Sequence, residues 1–181
     1  LDILLAGNTG SARIARVYRN NGGSFVDIAA GLPGVDYASV AWGDFDNDGD
    51  LDILLTGNTG SNYIARIYRN DGGAFTDIGA GLTGVAYSAV AWGDYDNDGD
   101  LDILLTGWVG GPVARIYRND GGLLVDSGTA DDALTGVQYS SVAWGDYDND
   151  GDLDILLTGY NGVRVAKVYR NEDCADPELV K

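Results

Sequence analysis

Along this chain apolar and polar positions alternate in short runs, and the same runs return about every fifty residues. Residues 1–50 and 51–100 align without a gap and agree at 37 of 50 positions. Residues 101–152 continue the pattern with two extra residues near SGTADDALTG, and residues 153–170 begin a fourth copy that NEDCADPELVK breaks off. Within one unit, four stretches carry the β-branched and aromatic residues of strands: 37–42 (YASVAW), 51–57 (LDILLTG), 63–70 (YIARIYRN) and 74–78 (AFTDI). No stretch keeps a helical period over the dozen or so residues that a helix needs. Ile53 and Leu55 alternate with Asp52, Leu54 and Thr56, so apolar side chains emerge on both faces of that strand.

Four short strands in every fifty residues, repeated, predict an all-β fold: a β-propeller of four-stranded blades, each packed on both faces by its neighbours. A β-sandwich competes, but sandwiches do not usually repeat every fourth strand at this identity. The expected division is a partial blade at 1–36, blades at 37–86 and 87–138, a partial blade at 139–170 and a divergent tail at 171–181. That makes fourteen strands, about three and a half blades. The chain also lacks methionine, so residue 1 is not expected to be a translation start.

Charge changes the picture. The net charge of −17 argues against a nucleic-acid backbone as partner. Its distribution is informative: 16 of the 28 acidic residues are Asp2 or lie in three aspartate loops. The basic residues recur at two repeat positions, Arg16, Arg66, Arg115 and Lys167, then Arg19, Arg69, Arg118 and Arg170, and so belong to the scaffold. No stretch reaches the roughly 18 apolar residues of a membrane span. The single cysteine, Cys174, has no internal partner for a disulfide.

The loops read GDFDNDGDLDILL at 43–55 and GDYDNDGDLDILL at 93–105 and 145–157, or D-x-D-x-D-G-D-x-D. Alternating carboxylates with glycine at the sixth place suit a hard cation, because the side chains converge and the glycine takes the sharp turn. An EF-hand would need a glutamate at the twelfth place, where Leu55 stands, and flanking helices. Four carboxylates about 5 Å apart repel by ~3 kcal/mol per pair at an effective dielectric near 20, a penalty that a divalent ion removes. The oxygen-only set favours calcium over zinc, and the number of carboxylates favours it over magnesium. The expected side-chain ligands are Asp44, Asp46, Asp48 and Asp52, with Asp50 giving its backbone carbonyl. The equivalents are Asp94, Asp96, Asp98, Asp100 and Asp102, then Asp146, Asp148, Asp150, Asp152 and Asp154. Asp2 matches the last ligand of a fourth loop.

The stretches VAWGDFDNDGDLDILLTGN and IYRNDGGAFTDI, with the GL that follows, resemble the FG-GAP or VCBS-type repeat of integrin-α-like propellers and secreted bacterial proteins. The resemblance covers nearly the whole chain. It implies calcium-braced blades, usually seven to a propeller, in an extracellular or cell-surface setting. An arc of three and a half blades does not close alone as such a propeller. Two copies joined through blade edges would stack six strands in one blade, so a fragment, or a filament built through exposed edges, is expected.

With no histidine, a Ser–His–Asp or Cys–His nucleophile is impossible within this chain. The expected function is non-enzymatic: adhesion or structural assembly, with other blades, copies of itself, a cell-surface protein or a glycan as partner. A lectin-like alternative rests on Trp108 and Tyr160, which occupy equivalent places in the variable turn after LDILLTG. A further alternative is a non-catalytic part of a larger secreted enzyme.

Overall fold

The computed structural model describes residues 1–127 and 134–171. It holds fourteen strands and, among the described residues, no helix. These are β1 (Ile3–Asn8), β2 (Arg13–Asn20), β3 (Phe25–Asp27), β4 (Asp36–Gly43), β5 (Asp52–Asn58), β6 (Tyr63–Asp71) and β7 (Ala74–Asp77). The series continues with β8 (Ala86–Gly93), β9 (Asp102–Trp108), β10 (Pro112–Asp120), β11 (Leu123–Asp126), β12 (Gln138–Gly145), β13 (Asp154–Tyr160) and β14 (Arg164–Tyr169). They form four antiparallel meanders: β1–β3, β4–β7, β8–β11 and β12–β14. The expected all-β class and strand number are thus found, and strand ends differ from expectation by a residue or two. Cys174, the tail beyond Asn171 and most of SGTADDALTG lie outside the described residues.

Local chemistry explains the meanders. Asp71 pairs with Ala74 across a two-residue turn in which Gly72 and Gly73 have φ of 63° and 97°. Positive φ at both central positions is what a twist-matched hairpin turn requires. At the start of β4, β8 and β12 the pairing slips by a bulge, after Asp36, Ala86 and Gln138. The slip places Tyr37, Tyr87 and Tyr139 at φ of 50°, 51° and 49°, rare for an aromatic residue.

The sheets stack in chain order. Between the first and second, Ala15 and Val17 meet Ile53 and Leu55. Between the second and third, Leu54 and Ile67 meet Ile103, Leu105 and Tyr117. Between the third and fourth, Leu104 and Ile116 meet Ile155 and Leu157. Ile53, Leu54 and Leu55 are all fully buried, so both faces of β5 are packed. Each such side chain contributes roughly 1.5–3 kcal/mol by leaving water. Close approach sets one constraint: a Cβ on Gly43 would lie 2.6 Å from the Trp92 indole, and one on Gly93 equally close to Trp144. The open sheet order leaves the described strands as four separate stacked sheets, with no sheet closed on itself.

Candidate metal centres

Each aspartate loop joins the first two strands of a sheet: β4 to β5, β8 to β9 and β12 to β13. The loop folds on its own backbone. The Asp44 carboxylate accepts the amides of Asp48 (3.1 Å) and Gly49 (3.0 Å), and Asp48 Oδ1 accepts that of Asp50 (2.8 Å). Asp94 and Asp146 repeat the pattern. Two left-handed residues make the turn, Asn47 at φ 58° and Gly49 at φ 94°. Asparagine and glycine are the residues that tolerate this region.

The last aspartate ties the loop to the sheet. Asp52 Oδ2 accepts the Phe45 amide and Oδ1 the Asn70 amide of β6, each at 2.8 Å. Asp102 does the same with Tyr95 and Asn119, and Asp154 with Tyr147 and Asn171. Asp2 accepts the Asn20 amide at 2.9 Å, keeping this half of the arrangement at the edge of β1.

Three carboxylate oxygens converge to within 4.8 Å of one another in each loop: Asp44, Asp46 and Asp48, then Asp94, Asp96 and Asp102, then Asp146, Asp148 and Asp154. The aspartates at loop positions 1, 3 and 5 therefore meet in the first loop, and those at positions 1, 3 and 9 in the others. Asp52, Asp98 and Asp150 stand in the same loops outside these closest groups. The aspartate at loop position 7 turns away. Asp50 Oδ2 accepts the Gly72 amide (3.0 Å), and Asp100 Oδ2 that of Gly121 (2.8 Å).

Burial raises the Asp102 carboxyl to about 6, against its hydrogen bonds from Asn119 and Tyr95 and with repulsion from Asp96 and Asp98. Asp52 is raised for the same first reason, and Asp96 by burial and then by Asp98. Cations offset this only in part: Arg170 Nε lies 2.6 Å from Asp148, whereas Arg118 Nε is 4.0 Å from Asp96. Oxygen donors alone, gathered at this spacing and partly desolvated, fit a divalent hard cation.

Trp108 and Tyr160 end β9 and β13, at the opposite end of the sheets from the aspartate loops. They pair in register with Ala86 and Gln138, one residue before Tyr87 and Tyr139. The sequence reading missed the tyrosines: Tyr37 and Tyr87 have ring centroids 4.2 Å apart, and Tyr87 and Tyr139 4.7 Å. Their recurrence at one repeat position was the available signal. It also missed a link between loops, in which Asn47 Nδ2 donates to Asp100 Oδ1 (2.8 Å) and Asn97 Nδ2 to Asp152 Oδ1 (2.9 Å).

A chain of stacked antiparallel meanders, each with an oxygen-rich acidic turn at the same place, is a β-repeat protein with repeated cation-type loops. The model of the FG-GAP-like repeat matches residues 1–55 and 54–105, so the chain belongs to the FG-GAP-like repeat family. A search of curated proteins returned no match. Among the described residues no helix is long and apolar enough to cross a membrane.

Proposed function

We propose that this chain is a calcium-stabilised β-propeller module that works outside the cell, in adhesion or structural assembly, without catalysis of its own. One observation carries the reading: three loops of identical aspartate spacing, each gathering three carboxylates, recur at the same turn of successive stacked sheets. A repeated site suits bracing of a scaffold, and a carboxylate that neutralises a cation is poorly placed to shuttle protons. FG-GAP repeats are typically extracellular and often bind calcium, which supports both the ion and the setting. Asp44, Asp46, Asp48 and Asp52, with the Asp50 carbonyl, would hold the first ion, and the equivalent residues the second and third.

The test is thermal unfolding with calcium and with chelator. A ligand at a hundred times its dissociation constant stabilises by about 2.7 kcal/mol per site, and three sites together by about 8. At ~2–4 °C per kcal/mol for a chain of this size, chelation should lower the melting temperature by roughly 20 °C. Unchanged melting would remove calcium from the proposal.

The tyrosine ladder favours a second reading, a carbohydrate-binding face at the end that bears Trp108 and Tyr160. Tyr37 and Tyr139 are exposed there on a strained backbone, and such rings stack on sugars. A glycan array with no binding, or binding indifferent to Trp108→Ala and Tyr139→Ala, would dispose of it.

A further inference from the structure

The aspartate loops are joined to one another through their asparagines. Each loop carries asparagine at position 4, between the aspartates at positions 3 and 5: Asn47, Asn97 and Asn149. All three stand in the left-handed region, at φ of 58°, 59° and 61°. The Asn47 side chain leaves its own loop and donates from Nδ2 to Asp100 Oδ1 of the second, at 2.8 Å. Asn97 repeats the contact with Asp152 Oδ1 of the third, at 2.9 Å. Asp100 is held by two further contacts. Its amide donates to Asp98 Oδ1 (2.9 Å), and its Oδ2 accepts the Gly121 amide (2.8 Å) in the turn between β10 and β11. Its carbonyl is the group expected to serve the second loop's cation. Asn47, for its part, lies between Asp46 and Asp48, two of the three carboxylates that converge in the first loop. Holding Asp46 and Asp48 in place therefore fixes the backbone of Asn47, and Asn47 fixes Asp100.

We propose that Asn47 and Asn97 are positioning residues that make calcium binding at neighbouring loops cooperative, the first loop with the second and the second with the third. The proposal rests on the calcium reading above and adds the coupling between its sites. Occupation of the first loop orders Asn47, so that the second loop has less left to order when it binds, and binding strengthens. The effect is reciprocal, because a coupling free energy belongs to both sites. Asn119 joins the same two loops from the buried side, donating from Nδ2 to the Phe45 carbonyl (3.1 Å) and the Leu101 carbonyl (3.3 Å). A contact to a charged carboxylate, as Asn47 makes, should carry the larger share, and the whole coupling should be on the order of tenfold.

Titration calorimetry with calcium chloride on variants of the 181-residue chain measures it. Asp146→Asn leaves the first two loops; adding Asp94→Asn leaves the first alone, and adding Asp44→Asn in its place leaves the second alone. The product of the two binding constants of the two-loop chain, divided by the product of the single-loop constants, is the coupling factor. It should be ~10, and Asn47→Gly should bring it to ~3 or less while both loops still take up an ion. Glycine keeps the left-handed turn and removes only the amide. All titrations are run where circular dichroism shows the chain folded in chelator, so that refolding does not imitate coupling. Asn97→Gly in an Asp44→Asn background repeats the test on the second and third loops, and decides it if Asn47→Gly does not fold. A factor near unity in the two-loop parent overturns the proposal. So does a factor that the glycine variants leave unchanged, which would assign the coupling to the stacked sheets. Single-loop variants that take up no calcium would sink the calcium reading and the coupling with it, whereas uptake with a factor near unity sinks the coupling alone.

Discussion

Replacing Pro33 with threonine should stabilise the protein. In the second and third junctions a tyrosine of one repeat is locked to a threonine of the repeat before it. Tyr117 Oη accepts the Thr83 amide (3.0 Å) and donates to Thr83 Oγ1 (2.8 Å). Tyr169 does the same with Thr135, at 2.8 and 2.9 Å. In the first junction the corresponding tyrosine is Tyr68, but the threonine position holds Pro33, with neither amide hydrogen nor hydroxyl. The Tyr68 hydroxyl is buried and makes no hydrogen bond of good geometry; burial raises its pKa, and the nearby Arg66 guanidinium, a weak polar neighbour, acts in the opposite direction. Each restored hydrogen bond contributes ~0.5–1.5 kcal/mol, and satisfying the buried hydroxyl removes a penalty of similar size. Loss of proline's restriction of the unfolded chain costs about 0.4–1 kcal/mol. Pro33→Thr should therefore gain ~1 kcal/mol, read as a higher urea midpoint at unchanged slope. Thr83→Pro should lose ~2–3 kcal/mol through the same contacts. A destabilised Pro33→Thr, or one that gains as much in a Tyr68→Phe background, would refute the reasoning.

Three further outcomes follow from the geometry. Gly43→Ala and Gly93→Ala should each cost ~1–3 kcal/mol, because an indole must give way, whereas Gly145→Ala, with open space at its Cβ, should stay within ~0.5 kcal/mol in chemical denaturation. In chelator, the raised Asp102 pKa of about 6 means that the folded state holds the proton more tightly than the unfolded chain. Its contribution is then full only below about pH 4 and is lost as pH rises from there through 6, by at most ~3 kcal/mol; Asp102→Asn should flatten that slope, and a slope of opposite sign in the difference would contradict the burial argument. Asp94→Asn should remove one calcium equivalent in titration calorimetry, leaving two of the three loops loaded.

The strands and loops were legible because their signals are local. The short apolar run of LDILLTG and the D-x-D-x-D-G spacing each lie within a dozen residues, and recurrence multiplied them. What stayed hidden depends on contacts across repeats. That Asn47 reaches Asp100 requires knowing which sheet lies over which. The significance of Pro33 appears only once the Tyr68 hydroxyl is seen buried and unsatisfied where Tyr117 and Tyr169 each hold a threonine. The left-handed tyrosines were hidden for another reason. Aromatic residues normally avoid positive φ, so a Tyr in YASVAW reads as an ordinary strand residue until the bulge after Asp36 displaces it.

These cross-repeat contacts imply that the three candidate metal loops differ, although their sequences scarcely do. The loop between β4 and β5 is clamped by the third sheet: Asn119 Nδ2 donates to the Phe45 carbonyl (3.1 Å), while Asn47 donates to Asp100. The loop between β8 and β9 is clamped by the fourth in the same way, through Asn171 Nδ2 to the Tyr95 carbonyl (2.8 Å) and Asn97 to Asp152. Order in each loop thus depends on the repeat that follows, and an ion bound there steadies the junction as well as its own turn. The third loop has no following repeat among the described residues, and its Tyr147 is 59% exposed where Phe45 is 4%. An ion entering it must order more of the loop at the moment of binding, which lowers affinity without any change of ligand. In the 181-residue chain taken by itself, the third site should therefore be the weakest of the three. Coupling of neighbouring repeats through such contacts is how a linear array melts as a unit instead of fraying sheet by sheet.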